Sequence, residues 1–160
     1  VVARLASAEG RALDGTEYRL PAGLPAERTL VVLAFWQRQQ ADVDRWIDLA
    51  VSLGVPGSPL AAPEPRATAV IEVPVLGRRY LPARRFIDGG MATAIRDPAV
   101  LARTITVYTA PAAYRRRCGI PTADQVTAML VDREGNAAFQ ALGPPTAGHL
   151  DELTTALGLR

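Results

Sequence analysis

The chain has 160 residues, 49% of them hydrophobic and 21% charged, with a formal net charge of +2. That is the size and balance of one soluble domain with a substantial core, and not of a disordered segment. All 18 basic residues are arginine, which excludes lysine Schiff-base and phosphate-loop chemistry; a single cysteine, Cys118, excludes an internal disulfide.

The first segment, "GRALDGTEYRLP", places an Asp14-Gly15 step between short mixed stretches and predicts a small hairpin. "TLVVLAF", residues 29–35, reads as a central strand buried on both faces. The run "LVVLAFW" is far below the ~20 residues that span a bilayer, so no transmembrane helix is expected. From Asp42 the period changes, and Val43, Trp46, Ile47, Ala50 and Val51 predict an amphipathic helix capped by Asp42 and ended by Gly54.

"VPGSPLAAPEPR" is a proline-rich loop. "ATAVIEVPVL", residues 67–76, predicts a second strand whose Pro74 belongs at a strand end or sheet edge. "LPARRFIDGGMATAI" predicts a helix starting near Pro82, weakened by Gly89-Gly90. "RTITVYT", residues 103–109, is the third strand, and "PAAYRRRCG" a short helix stopped at Gly119. "VTAMLVDREGNAAFQALG" reads as a hairpin turning at Asp132 to Gly135, and "TAGHLDELTTALGL" as the closing helix. This order calls for an α/β fold, a central mixed sheet covered by helices, over residues 1–160 as one domain.

The charge is uneven. From Arg66 to Arg117 there are ten arginines against Glu72, Asp88 and Asp97, and the flanks are net acidic. Arg78, Arg79, Arg84, Arg85 and Arg96 could grip an anion or an acidic protein surface if folded together; the plainer reading has them covering helix flanks or pairing with Asp88 and Asp97. No helix-turn-helix, zinc-finger or RNA-binding signature accompanies them, and nucleic acid is not an expected partner.

Cys118 follows Arg115, Arg116 and Arg117, which would favour a reactive thiolate, while its place at a helix end opposes the anion and suits a small residue packed under the sheet. His149, the only histidine, stands at the start of the last helix with no ligand spacing around it. "FIDGGMA" lacks the spacing and lysine of a phosphate loop. No serine follows a strand-to-helix glycine elbow. No cofactor or metal is expected.

The element order, with "GTEYRLPAG…ERTLVVLAFW" and "VTAMLVDREGNAAFQALGPPT", resembles the thioredoxin-like superfamily, particularly its thiol-disulfide oxidoreductase and peroxiredoxin branches. The resemblance implies a thioredoxin-like sheet with an N-terminal hairpin extension. It also implies that the two active-site cysteines correspond to Gln40 and Val43, neither of which can be a nucleophile. The peroxiredoxin threonine falls on Gln37, and the cis proline before the hairpin falls near Val126, with Pro121 too early. More narrowly, "TLVVLAFWQRQQ…VDRW", "VPVLGRRYLPARRFIDGGM" and "IRDPAVLARTITVYT" resemble cysteine-less relatives including the mitochondrial ATP synthase assembly-factor family, which implies a chaperone-like role.

The expectation is therefore a redox-inactive thioredoxin-like protein that recognises another protein noncovalently, with a single-thiol peroxidase-like enzyme using Cys118 or an anion-binding protein as alternatives. A cytoplasmic location is expected, a removed leader being the open alternative for a chain that begins with valine; the oligomeric state is left open.

Overall fold

The computed structural model describes residues 3–59, 66–79, 84–95 and 97–159. Seven strands form one sheet in the order β2-β1-β5-β4-β3-β6-β7. Its centre is β3 (Arg28–Ala34), parallel to β4 (Thr68–Leu76) on one side and antiparallel to β6 (Thr127–Val131) on the other. Because side chains alternate along a strand, β3 supplies two cores. Val31 and Leu33 join Ile71, Val73, Tyr114, Cys118 and Met129 on one face. Leu30 and Val32 meet Val70, Val43, Trp46, Ile47 and Leu153 on the other.

The hairpin of β1 (Ala8–Ala12) and β2 (Glu17–Leu20) forms as the Asp14-Gly15 step predicts, Gly15 adopting φ +97°. β1 then pairs antiparallel with β5 (Ile105–Tyr108), extending the sheet beyond its parallel core. β7 (Ala137–Leu142) completes the second hairpin. Gly135 in that turn has φ +89°, and its carbonyl accepts a 2.9 Å hydrogen bond from the Leu5 amide. Thus the turn both closes the hairpin and fastens the N-terminal segment.

Helix α1 (Gln40–Ser52) follows a single 3-10 turn at Gln37–Gln39 and buries Val43, Trp46, Ile47 and Ala50. Asp42 is therefore inside its first turn and not the cap: the helix is capped at Gln39, three residues earlier. Trp46 donates its indole N–H to the Gly143 carbonyl at 2.8 Å and meets Phe139 edge-on at 5.9 Å. α5 (Ala147–Ala156) packs on the same face. Its start is a Thr146 cap, with the His149 ring accepting the Thr146 amide at 3.2 Å; at its other end Arg28 donates to the Ala156 and Leu157 carbonyls at 2.9 and 3.3 Å, cation at the negative end of the helix.

The expected order gains one helix, and its proline and paired glycines are accommodated. Pro74 lies on β4, an interior strand, but at its last registered pair with β3, opposite Ala34, where the ladder is ending. Residues 98–103 form a short helix, α3 (Pro98–Arg103), between α2 (Arg84–Ala94) and β5, so the strand begins at Ile105. Asp97 accepts the Ala99 amide at 2.9 Å, and Pro98 takes the first helical position, a start signal carried by the Asp-Pro step itself. The paired glycines do not break α2. α4 (Pro111–Arg117) ends beside Gly119 as expected.

A methyl group on Gly135 would stand 2.5 Å from the Leu5 carbonyl oxygen, in a backbone conformation that side chains disfavour. Gly135→Ala is expected to cost about 1–3 kcal/mol, read as a lower midpoint in denaturant unfolding.

Candidate functional site

The C-terminal end of β3 and the start of α1 meet in a short tight junction. Gln39 is buried there, and its side chain serves three backbone groups. Its oxygen accepts from the Phe35 and Trp36 amides at 2.9 and 3.4 Å, and its amide donates to the Ala123 carbonyl at 2.8 Å. Those donors would otherwise be orphaned where the strand ends. The same bonds tie the junction to the segment entering β6.

Gln40, the first residue of α1, is exposed, whereas Val43 is buried in the core. The Gln40 amide nitrogen lies 3.0 Å from an Asp44 oxygen and 3.4 Å from a Glu72 oxygen; its two protons can serve both. Glu72 is a buried carboxylate on β4. Arg103, at the end of α3, approaches its other oxygen at 3.5 Å and donates to the Gly57 carbonyl at 2.9 Å. Burial raises the Glu72 carboxyl above its ordinary range, outweighing Arg103 and the Gln40 hydrogen bond. The sequence carried a signal for this cluster in the single acid amid the apolar run of β4.

Beside the junction, Trp36 stands 52% exposed, with the Arg38 guanidinium 5.3 Å from its ring centre. Together they present an apolar plate with a cation above it. Val126, where the resemblance puts the cis proline, is a buried valine whose carbonyl accepts the Gly143 amide. Among the described residues the one cis peptide is Leu20–Pro21.

Cys118 lies far from this junction in chain and environment. It is fully buried in the core opposite α1, its sulfur accepting the Ala6 amide at 3.4 Å, at the C-terminal cap of α4. Burial raises its thiol above the ordinary value, against smaller opposing effects from the Ala6 amide, Tyr114, Arg117 and Arg4. The neighbouring arginines are occupied elsewhere, Arg115 on the Ile120 carbonyl and Arg117 on that of Ser7. The single-thiol enzyme is thereby corrected: the thiol is packed as a small apolar side chain, without the exposure or thiolate character that reactivity requires.

Arg78 and Arg79 are exposed just beyond β4. Arg84 and Arg85 belong to α2, but their side chains, like Arg96 as a whole, lie outside the described residues. The expected partners of these arginines are otherwise engaged: Asp97 caps α3, and Asp88 accepts from the Tyr108 hydroxyl at 2.7 Å. His149 caps α5, its ring 5.6 Å from that of Trp46. Among the described residues no group of three or more His, Cys, Asp or Glu side chains is placed to hold a metal ion, and no helix is long and apolar enough to cross a membrane.

No family model matches the chain, and no curated protein does. Solved structures match along nearly the whole length. The exposed lipoprotein thioredoxin of Streptococcus pneumoniae strain TIGR4 shares 14% identity, covering 97% of this chain and 100% of its own, with a TM-score of 0.55. BsSco, of the Sco family of cytochrome c oxidase assembly proteins, gives 0.59 at 13% identity over 100% and 96%. A thio-disulfide isomerase from Thermus thermophilus gives 0.54 at 19% over 99% and 97%. The chain has the thioredoxin fold. In this thioredoxin-fold protein the strand-to-helix junction carries no cysteine, and the single thiol is in the opposite core, so no pair of thiols exists to cycle between dithiol and disulfide.

Two outcomes follow from these environments. In the folded protein Cys118 should resist alkylation, with modification slowed at least about a hundredfold relative to the unfolded chain, as followed by mass spectrometry. Glu72, with its folded-state pKa raised, contributes stability that is present at acid pH and is lost as pH rises through that value. The stability of Glu72→Gln relative to the wild type should therefore improve between about pH 4 and about pH 7, measured as the difference between their urea unfolding curves.

Proposed function

We propose that this protein acts by noncovalent recognition of another protein, using the end of β3 and the start of α1 without any redox step. The observation that carries the reading is the junction itself: Gln39 fixes its backbone through three hydrogen bonds, and Trp36 with Arg38 stands exposed on it. A preorganised turn loses little freedom on binding, and tryptophan and arginine are among the residue types enriched at the hot spots of interfaces. The guanidinium selects an acidic partner surface beside an apolar one.

A role in assembly is the finer form of this proposal, supported by the likeness of the basic, proline-bearing middle segment to ATP synthase assembly factors. Arg78, Arg79, Arg84, Arg85 and Arg96 would then give the same acidic partner a second area of contact. Recognition of this kind weakens as salt screens exposed charges.

Capture of partners from the native cell extract, followed by titration of the purified partner, tests the reading. Trp36→Ala is expected to weaken binding by about tenfold or more, and Arg38→Glu to weaken it and reduce its salt dependence. Reversing Arg84, Arg85 and Arg96 should lower affinity further. If the wild type retains its partner only through a bond cleaved by reductant, or if Trp36→Ala and Arg38→Glu both bind unchanged, the proposal fails.

A further inference from the structure

Away from the junction, a cleft of about 1050 Å³ opens between the β1–β2 hairpin, β5 and α2. Its size is that of a small-molecule site, but its walls are more polar than such sites usually are. Asp88 of α2 is partly buried in it. One carboxylate oxygen accepts the Tyr108 hydroxyl at 2.7 Å and lies 3.3 Å from the Thr106 hydroxyl, which also reaches the Arg11 carbonyl at 3.2 Å. The single Thr106 proton can serve only one of these at a time. The carboxylate is thus aimed by two residues of β5.

No cation among the described residues lies within 4.0 Å of Asp88. Arg11 and Arg78 line the same cleft, and neither has an acidic partner among the described residues. Glu9, Glu17 and Arg19 line the cleft as well, Arg19 pairing with Glu9 at 3.7 Å and Arg11 standing opposite Glu17 across the hairpin, whereas Asp88, Arg11 and Arg78 form no ion pair among the described residues. A simple anion would meet Asp88, and a simple cation would meet the two arginines. The ligand that satisfies both carries both charges. Gly89, with open space where a side chain would stand, leaves the wall beside Asp88 unobstructed.

We propose that this cleft binds a dipolar ligand of the amino-acid or short-peptide class, its amine or guanidinium on Asp88 and its carboxylate on Arg11 and Arg78. The guanidiniums offer a carboxylate planar, paired donors. Neither Trp36 nor Arg38 lines this cleft, so the site is separate from the junction; Arg78 alone is shared with the second area of partner contact, and Asp88→Asn tests the cleft without touching it.

The test is an amide NMR titration of the full chain with four probes: L-arginine, a blocked Glu-Arg peptide, agmatine, which carries only positive charge, and glutarate, which carries only negative charge. At least one dipolar probe is expected to saturate in the millimolar range, shifting the amides of Gly89, Thr106 and Arg11 and binding about tenfold more tightly than either single-sign probe. Saturation by L-arginine identifies a free amino acid as the ligand source; saturation by the blocked peptide alone identifies a peptide segment. Asp88→Asn, which keeps the side chain's shape and can still accept from Tyr108, should weaken that binding about tenfold, and the Arg11→Gln, Arg78→Gln double variant should weaken it comparably. Tyr108→Phe, which loosens the carboxylate without removing it, should have a smaller effect. No saturation by about 10 mM, equal affinity for agmatine or glutarate, or unchanged affinity in folded Asp88→Asn would overturn the proposal.

Discussion

The structure depends on β3 being buried from both sides. A strand with β4 and β6 along its edges, α1 and α5 over one face and α4 with the N-terminal segment over the other has no route to water for its side chains, so each residue from Thr29 to Leu33 must fit one of two cores. Each fully buried valine or leucine there contributes roughly 1.5–3 kcal/mol relative to exposure. Sliding the strand by one residue would exchange the two cores entirely. The position of the strand's end, and with it the junction at Trp36 to Gln40, is fixed by that register.

The absence of lysine gives the rest of the molecule a common device. Arg4, Arg28, Arg103, Arg115, Arg117 and Arg133 each donate to a main-chain carbonyl. A guanidinium can do this while its stem covers apolar surface. Several of these bonds join chain segments far apart in sequence: Arg28 holds the end of α5, and Arg117 holds the segment before β1. A hydrogen bond involving a charged group contributes on the order of 1.5–3 kcal/mol, less where solvent competes. A third of the chain's 18 arginines are thereby turned to its own backbone, whereas Arg38 at the junction and Arg11 and Arg78 at the cleft stand exposed.

The junction carries no cysteine and is held by side-chain hydrogen bonds. Gln40 joins two carboxylates, Asp44 and Glu72, and the latter is held between it and Arg103. Removing Arg103 would leave a buried carboxylate unpaired, a change that typically costs several kcal/mol. This cluster joins α1, β4, the end of α3 and the loop at Gly57. The junction is consequently rigid from beneath as well as from the Gln39 side, as a surface for noncovalent recognition needs to be.

The sequence by itself determined the element order apart from α3, both hairpins, the two-faced strand, and the absence of a thiol pair, because these follow from local periodicity, turn residues and composition. It also carries finer signals, Asp97-Pro98 for α3 and Glu72 alone in an apolar strand for the buried carboxylate. Only the tertiary structure decided that Cys118 is buried while Arg115 and Arg117 turn to backbone carbonyls, that Gln39 and not Asp42 organises the start of α1, and that Asp88, Arg11 and Arg78 line one cleft. The Ala6 contact of Cys118 and the Ala123 contact of Gln39 join residues 112 and 84 positions apart. Periodicity assigns a residue to a face, but which groups share that face, and whether water reaches them, is settled only when the sheet closes.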